Sequence, residues 1–337
     1  MPDPALLLET KRPTSASIAL PIAILILCCL FWGFSFPGMQ ITASIFEKTL
    51  DNSALHIPGV RGQLASRSIF NAWRFAIAAS AFFLLTFSRH RRFSRADLIG
   101  GLIVGLTFCL GILLQLIGLR YILPSTSSFL TALSVIFAPL AQTLLLRRPL
   151  GTRTIIAVII ALIGMFILSQ PNPSATTAQT IAETPPIPHL GEILTIIGSL
   201  LFTAQILSID HFGQVADPTR LTFIMLLVTC LISLLIGLSL GGAQFHRVSV
   251  FTAVTHNQKF VICFALLALI SSMVSQYLMN RYQPLVPPAT AAVVYCLEPV
   301  FGTLFSVAFA TERLSAITMV GGVIILVAVF LVARKNA

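Results

Sequence analysis

PLVPPATAAVVYCLEPVFGTLFSVAFATERLSAITMVGGVIILVAVFLV, residues 284–332, is the stretch from which the fold can be read. It holds two apolar segments of membrane-spanning length, joined by the short charged turn Thr311-Glu312-Arg313-Leu314. In the first segment Glu298 is followed at once by Pro299. A helix over 287–309 places Glu298 near its middle, roughly 16 Å from either end at 1.5 Å per residue. A carboxylate at that depth costs about 2.5–3.5 kcal/mol on insertion scales, so it must face other helices or a water-filled cavity. Proline beside it removes a backbone hydrogen bond and predicts a kink.

The rest of the chain has the same character. Of its 337 residues 56% are hydrophobic and 9% charged, far below the roughly 25% charged norm for soluble domains. A mean hydropathy of +0.94 and repeated apolar runs of about 20 residues predict a polytopic all-α integral membrane protein. The net charge of +10 is not a nucleic-acid footprint, because Lys and Arg lie scattered between apolar segments, as membrane topology requires. All six cysteines (Cys28, Cys29, Cys109, Cys230, Cys263 and Cys296) fall inside apolar segments without CxxC spacing, which indicates neither a disulfide framework nor a metal site. Lys11 and Arg12 precede an apolar run too long for a signal peptide, and this run is read as an uncleaved first helix.

Ten spans are predicted, at 17–45, 68–88, 97–119, 124–146, 153–169, 190–210, 219–240, 260–281, 287–309 and 315–333. With a cytoplasmic N-terminus, thirteen basic residues fall inside and eight elsewhere, the bias being carried by clusters at 89–95 and 147–153. Both termini are then cytoplasmic. Long loops are expected at 46–67 and 170–189, the second rich in Pro, Thr and Ala and free of Lys and Arg, as a flexible linker would be. The expected organisation is a tail over 1–16, a first half over 17–169, the linker 170–189 and a second half over 190–334.

The two halves resemble each other. LLQLIGLRYILP at 113–124 matches VSQYLMNRYQPL at 274–285, aligning Gln115 with Gln276 and Arg120-Tyr121 with Arg281-Tyr282. Pro139 falls on Pro299 and Ala138 on Glu298 at a nearly equal offset. Five spans per half is an odd number, so the halves insert upside down relative to each other. Inverted repeats of this kind belong to secondary transporters, whose solute sites lie at the repeat interface near mid-membrane.

FWGFSF at 31–36, Arg74-Phe75, STSSFLTALSVIFAPL at 125–140 and above all CLEPVFGTLFSVAFATERL at 296–314 carry a family likeness. The chain resembles the EamA-type drug/metabolite transporters over nearly its whole length. The resemblance implies ten helices in two five-helix repeats, with the fifth and tenth peripheral. It also implies transport of a small solute, commonly export, by alternating access. Ala138 opposite Glu298, Arg147-Arg148-Pro149 in place of an acidic turn, and two longer outer loops depart from the family pattern.

Glu298 is the leading candidate for binding and coupling: a buried carboxyl with few partners can exchange a proton for a polar or cationic group of the solute. A structural ion pair with Arg74, the one basic residue well inside a span, is the competing reading. Gln115, Gln276, Asn71, Tyr295 and Trp32 complete the candidate solute-binding set, with Ser35, Gln40, Ser128, Thr131 and Gln205 as further lining. Pro37, Pro139 and Pro299 are candidate hinges, although prolines are tolerated in membrane helices generally. Gly101/Gly105 and Gly237/Gly241 have GxxxG spacing and predict close helix contacts.

The six histidines are spread over loops and span edges, and no HExxH, GxSxG or nucleotide-binding GxxxxGK[ST] pattern occurs. The expected function is therefore secondary active transport of a small metabolite or drug-like solute, coupled to protons or to solute exchange. No cofactor, metal or nucleic acid is expected. The partners are the solute, membrane lipid and protons, in a bacterial source at the inner membrane, and a homodimer is compatible with this architecture. The alternatives are a lipid-modifying membrane enzyme, which would need clustered His, Asp and Glu at one membrane face, and a non-transporting scaffold or sensor.

Overall fold

The computed structural model describes residues 18–52, 59–89, 92–145, 147–168, 187–241, 248–309 and 316–333. The terminal tail, most of the 170–189 linker and the turn at 311–314 lie outside these residues. Among the described residues every regular element is helical. Eight helices are long and apolar enough to cross a membrane: Ala19–Leu50, Arg61–Arg89, Arg95–Gly118, Thr126–Leu144, Leu190–Phe212, Pro218–Ser239, Gln258–Leu285 and Pro288–Ala308. Two shorter apolar helices, Thr152–Leu168 and Met319–Ala333, stand where the fifth and tenth spans are expected. The protein is a multi-pass membrane protein.

In finer division the elements are α1 (Ala19–Asn52), α2 (Gly59–Thr86), α3 (Arg95–Gly118), α4 (Pro124–Thr131), α5 (Ser134–Leu144) and α6 (Thr152–Leu168). The second half holds α7 (Leu190–Phe212), α8 (Pro218–Ser239), α9 (Val248–Thr255), α10 (Gln258–Ala265), α11 (Ser275–Tyr282), α12 (Pro288–Tyr295), α13 (Leu297–Ala308) and α14 (Ala316–Ala333). α3 packs between α7 and α8, α2 lies along α8, and α1 lies along α13, so the two halves interleave. α6 and α14 pair with each other at the edge. Their outer faces, with Ile159, Ile163, Phe166, Val323 and Phe330, are exposed apolar surface, as contact with lipid demands.

Local chemistry sets the helix ends. Ser94 and Asp97 form a reciprocal capping box at the start of α3, Ser94 Oγ accepting from the Asp97 N–H while Asp97 Oδ2 accepts from the Ser94 N–H. Asp217 caps α8 through the N–H groups of Thr219 and Arg220, with Pro218 at the first helical position, where a missing N–H costs nothing. Asp97 Oδ1 also accepts from the Asp217 N–H at 2.8 Å, and Arg220 Nη1 lies 3.1 Å from Asp97 Oδ2. Two helix starts are thereby tied at one end of the bundle. Within the spans Thr42, Thr131, Thr195, Thr203 and Thr229 each return their hydroxyl proton to the carbonyl four residues back, so they add no unsatisfied donor.

Four expectations need correction. The loop placed at 46–67 is largely helix, because α1 continues to Asn52 and α2 begins at Gly59. Glu47 makes this extension tolerable: Arg67 Nε at 2.8 Å and Arg120 Nη1 at 3.1 Å neutralise its carboxylate across three helix ends. The spans at 124–146 and 287–309 are each broken, at Ala132-Leu133 between α4 and α5 and at Cys296 between α12 and α13. Pro299 therefore does not kink a continuous helix. It sits in the first turn of α13, where its missing N–H would have had no partner. Finally, Gly241 lies beyond the end of α8 and turns the chain there with φ +95°.

The other GxxxG glycines do mark close approaches. A Cβ on Gly101 or Gly105 would meet Ile224 or Val228 of α8 at 2.6 and 3.0 Å, and one on Gly237 would meet Ile69 of α2 at 2.5 Å. The tightest pairing of α6 with α14 uses Gly164 and Gly321. A Cβ at Gly321 would lie 2.6 Å from the Leu168 nitrogen, whereas one on its neighbour Gly322 would first touch Val300 at 3.5 Å. Two adjacent glycines thus have opposite tolerance. Gly321→Ala is expected to lower the thermal midpoint in detergent by the equivalent of about 1–3 kcal/mol, as overpacking does, while Gly322→Ala leaves it unchanged or raised. Equal effects of the two substitutions would show that the α6–α14 approach is not as described.

Candidate functional site

A cavity opens at the centre of the bundle. It is lined by Trp32 and Ser35 of α1, Arg74 of α2, Phe108, Ile112 and Gln115 of α3, and Thr131 and Ser134 at the first helix break. The second half contributes Phe202, Gln205 and Ile206 of α7, Ser271, Gln276 and Met279 of the eighth span, and Tyr295 and Glu298 at the second break. Of the seven predicted solute-binding residues, six meet here: Glu298, Arg74, Gln115, Gln276, Tyr295 and Trp32. The seventh, Asn71, does not line it. Its Nδ2 donates to Ser233 Oγ at 2.9 Å and ties α2 to α8.

The lining comes in related pairs. Gln115 and Gln276 both face the cavity, as the sequence offset predicts. The two helix breaks follow α4 and α12, which begin at Pro124 and Pro288, and this register sets Thr131 against Tyr295 and Ser134 against Glu298. The residue answering to Glu298 in the cavity is therefore Ser134, not Ala138, which is buried away from it. The prolines follow a different spacing: Pro139 lies seven residues after Ala132, Pro299 only three after Cys296. The difference of four is about one helical turn, so the inserted turn nearly restores the face. Thr143 and Thr303 each donate to the carbonyl of the proline four residues earlier, Pro139 or Pro299. Pro37 lies within unbroken α1.

Glu298 follows the second break directly and stands in the first turn of α13. The break creates a helix N-terminus inside the bundle, and the partial positive charge there favours an acidic side chain. Among the described residues Glu298 has no ion-pair partner and no protein hydrogen bond. The expected alternative of a permanent pair with Arg74 is absent from the structure.

Arg74 is 2% exposed and is held differently. Its Nε donates to Ser272 Oγ at 2.7 Å and its Nη1 contacts the Met39 sulfur at 3.1 Å, a weak acceptor. The guanidinium also lies 5.3 Å from the centre of the Phe75 ring, within cation–π range. Ser272 belongs to a π-helical stretch, Leu266–Val274, inserted between α10 and α11. Ser272 and Ser275 donate their hydroxyl protons to the carbonyls of Leu267 and Ile270, five residues back, matching the wider π turn. Ser271 turns its hydroxyl to the Phe31 carbonyl of α1 at 2.6 Å.

Amides connect the walls. Gln115 Nε2 donates to Thr131 Oγ1 at 2.7 Å, and Gln205 Nε2 to Gln276 Oε1 at 3.2 Å. Tyr295 donates its hydroxyl to Gln283 Oε1, whose Nε2 donates to the Ile206 carbonyl. The Trp32 ring meets Tyr295 edge-on, 5.3 Å between centres. Ser134, Ser271 and the wall formed by Phe108 and Phe202 were not among the sequence candidates. Ser134 could have been found by aligning the repeats on the prolines that open α4 and α12. The phenylalanines had no such signal, since nothing distinguishes them from the other lipid- and core-facing aromatics.

Breaks, π turn and polar lining all border one central cavity. The EamA-like transporter family model matches residues 60–170 and again 189–334, and the chain belongs to that family. It is a membrane transporter. An "Uncharacterized transporter" of Archaeoglobus fulgidus is 28% identical over 313 residues, spanning 92% of this chain and 85% of that protein. A solved crystal structure superimposes with a TM-score of 0.63 at 14% identity, covering 95% of this chain and 99% of that one, a likeness of fold.

Asn71 gives a check on where the site ends. Asn71→Ala is expected to cost about 1 kcal/mol of stability through the lost Ser233 bond, with solute transport per folded molecule unchanged. A transport defect without loss of thermal stability would return Asn71 to the site.

Proposed function

We propose that this chain is a secondary active transporter of a small solute, built from ten spans in two inverted five-helix repeats and working by alternating access. In this reading α6 and α14 are the fifth and tenth spans, residues 17–169 and 190–334 form the repeats, and 170–189 links them. The observation that carries it is the pairing across the cavity. Gln115 with Gln276, Thr131 with Tyr295 and Ser134 with Glu298 come from corresponding places in the two halves and face one space. A site assembled from both repeats changes its access when the repeats rock against each other.

One end of the bundle has contacts that such rocking would have to remake. Arg148, which follows α5, pairs with Asp210 of α7 at 2.6 Å, and Gln142 Oε1 accepts from the Ala289 N–H at 3.0 Å. Both join the first half to the second. At the opposite end Glu47, Arg67 and Arg120 join α1, α2 and α3 within the first half. The proposed placement is the inner membrane of a bacterial source with both termini in the cytoplasm. Export is the proposed direction, with coupling to protons through Glu298.

Purified protein in proteoliposomes tests this directly. Flux of at least one member of a broad metabolite panel is expected, with accumulation driven by an imposed pH gradient. Glu298→Gln should abolish the pH-driven accumulation at normal expression while exchange of solute across the membrane persists. A chain that moves nothing on the panel would remove the transport mechanism, and full pH-driven transport by the variant would remove Glu298 as the coupling group.

A further inference from the structure

The cavity contains one cation and one carboxylate that do not neutralise each other by contact. Arg74 is buried, its Nε and Nη1 are engaged by a serine hydroxyl and a thioether, and among the described residues Nη2 has no protein acceptor. No acidic side chain pairs with it among the described residues. Arg67, the other deeply buried arginine, by contrast has Glu47 at 2.8 Å. A charged guanidinium with an open donor edge in a buried wall is a counter-ion awaiting an anion. The π turn keeps it there, because Ser272 both donates to the Leu267 carbonyl and accepts from Arg74.

We propose that the solute is a small organic anion, a carboxylate bound by Arg74 with its apolar body against the aromatic wall, and that Glu298 takes up one proton as the anion enters. This rests on the central cavity being the solute site. In this proposal the empty site holds Arg74 charged and Glu298 ionised, a net charge of zero. An added anion would leave the buried site with a net negative charge, which the low-dielectric interior disfavours strongly. Protonation of Glu298, by a proton from the water that enters the cavity, restores neutrality. Glu298 can absorb this change because, among the described residues, no protein group engages its carboxylate.

Other ionisable groups do not offer an alternative. Cys29 of α1 and Tyr295 and Cys296 of its own span lie near Glu298, with Cys28 beside them. Each is neutral in ordinary conditions and deeply buried. The faces that α4 and α14 turn toward α13 carry no ionisable residue. On α3 and α8, which pack against α2, Cys109 and Cys230 are free thiols, and the π stretch has no titratable side chain. The proton then travels with the anion, so transport is electroneutral at one to one. Export runs when the outward solute gradient exceeds the inward proton gradient, about tenfold in solute for each unit of pH.

The chain has two tryptophans, and Trp73 packs on Phe46 outside the cavity. Trp73→Phe therefore leaves Trp32 in the cavity wall as the only fluorophore of its kind. In the full-length variant in detergent, 3-phenylpropionate should quench this fluorescence saturably. Its amide and 3-phenylpropylamine should bind about tenfold or more weaker, the worth of a charge-assisted hydrogen bond. Proton release or uptake in weakly buffered solution should show about one proton taken up per carboxylate bound. Adding Glu298→Gln should abolish that uptake and make carboxylate affinity independent of pH. Adding Arg74→Gln should remove the preference for the carboxylate; if that variant does not fold, Arg74→Lys must retain the preference.

Amide or amine binding as tight as the carboxylate, failure of the carboxylate to quench, or proton uptake persisting in Glu298→Gln would each overturn the proposal. Flux measurements separate this from the transport mechanism itself. Solute movement without carboxylate preference overturns only the anion assignment. Carboxylate binding linked to a proton, with no flux, supports that assignment and overturns transport.

Discussion

Backbone hydrogen bonding in an apolar surround constrains everything else here. Where no water can satisfy a free N–H or C=O, a spanning segment must be helical, and irregular backbone is tolerated only against protein or a water-lined space. The described spans obey this closely. The break at Ala132-Leu133, the break at Cys296 and the π stretch Leu266–Val274 are the departures within the central bundle, and each borders the cavity. The deviations are what make the cavity polar. The second break supplies an internal helix N-terminus for Glu298, and the π turn supplies the serine that holds Arg74.

Charge follows the same rule. At the ends of the bundle, carboxylates meet arginines: Glu47 with Arg67 and Arg120, Asp97 with Arg220, Asp210 with Arg148. These pairs close helix ends and carry the spans past their apolar runs. In the centre, Arg74 and Glu298 each lack such a partner among the described residues. A pair in contact would be a structural clasp that a solute could open only at great cost. Two separated ionisable side chains in one chamber leave both available.

The repeat is best understood through its inequality. Both halves place an amide on the wall, Gln115 and Gln276, and both break a helix there. One half then presents the hydroxyl of Ser134 and the other the carboxylate of Glu298. Arg74 in α2 adds the cation on one side only. The architecture is shared between the halves while the chemistry is concentrated in a few unshared side chains.

Much of this was legible in the residues alone. The apolar runs, the near-absence of charge within them and the Gln…Arg-Tyr repeat determine an all-helical membrane protein made of two related halves. The cost of a buried carboxylate marks Glu298 without any structure, and the same cost marks Arg74, because burial energy depends on residue type and depth and both are written in the chain. What the sequence could not decide is how these groups stand to one another. Whether Arg74 and Glu298 touch depends on the rotation of α2 and α13 about their axes and on a π turn in a third span. Asn71, equally polar and equally deep, was turned by the same packing toward Ser233 instead of the cavity. The break at Cys296 rather than at Pro299 was likewise a tertiary matter, because a proline forbids one hydrogen bond but does not say which turn will yield. Contacts between distant helices settled those choices, since only there do side chains separated by scores of residues compete for the same space and the same hydrogen bonds.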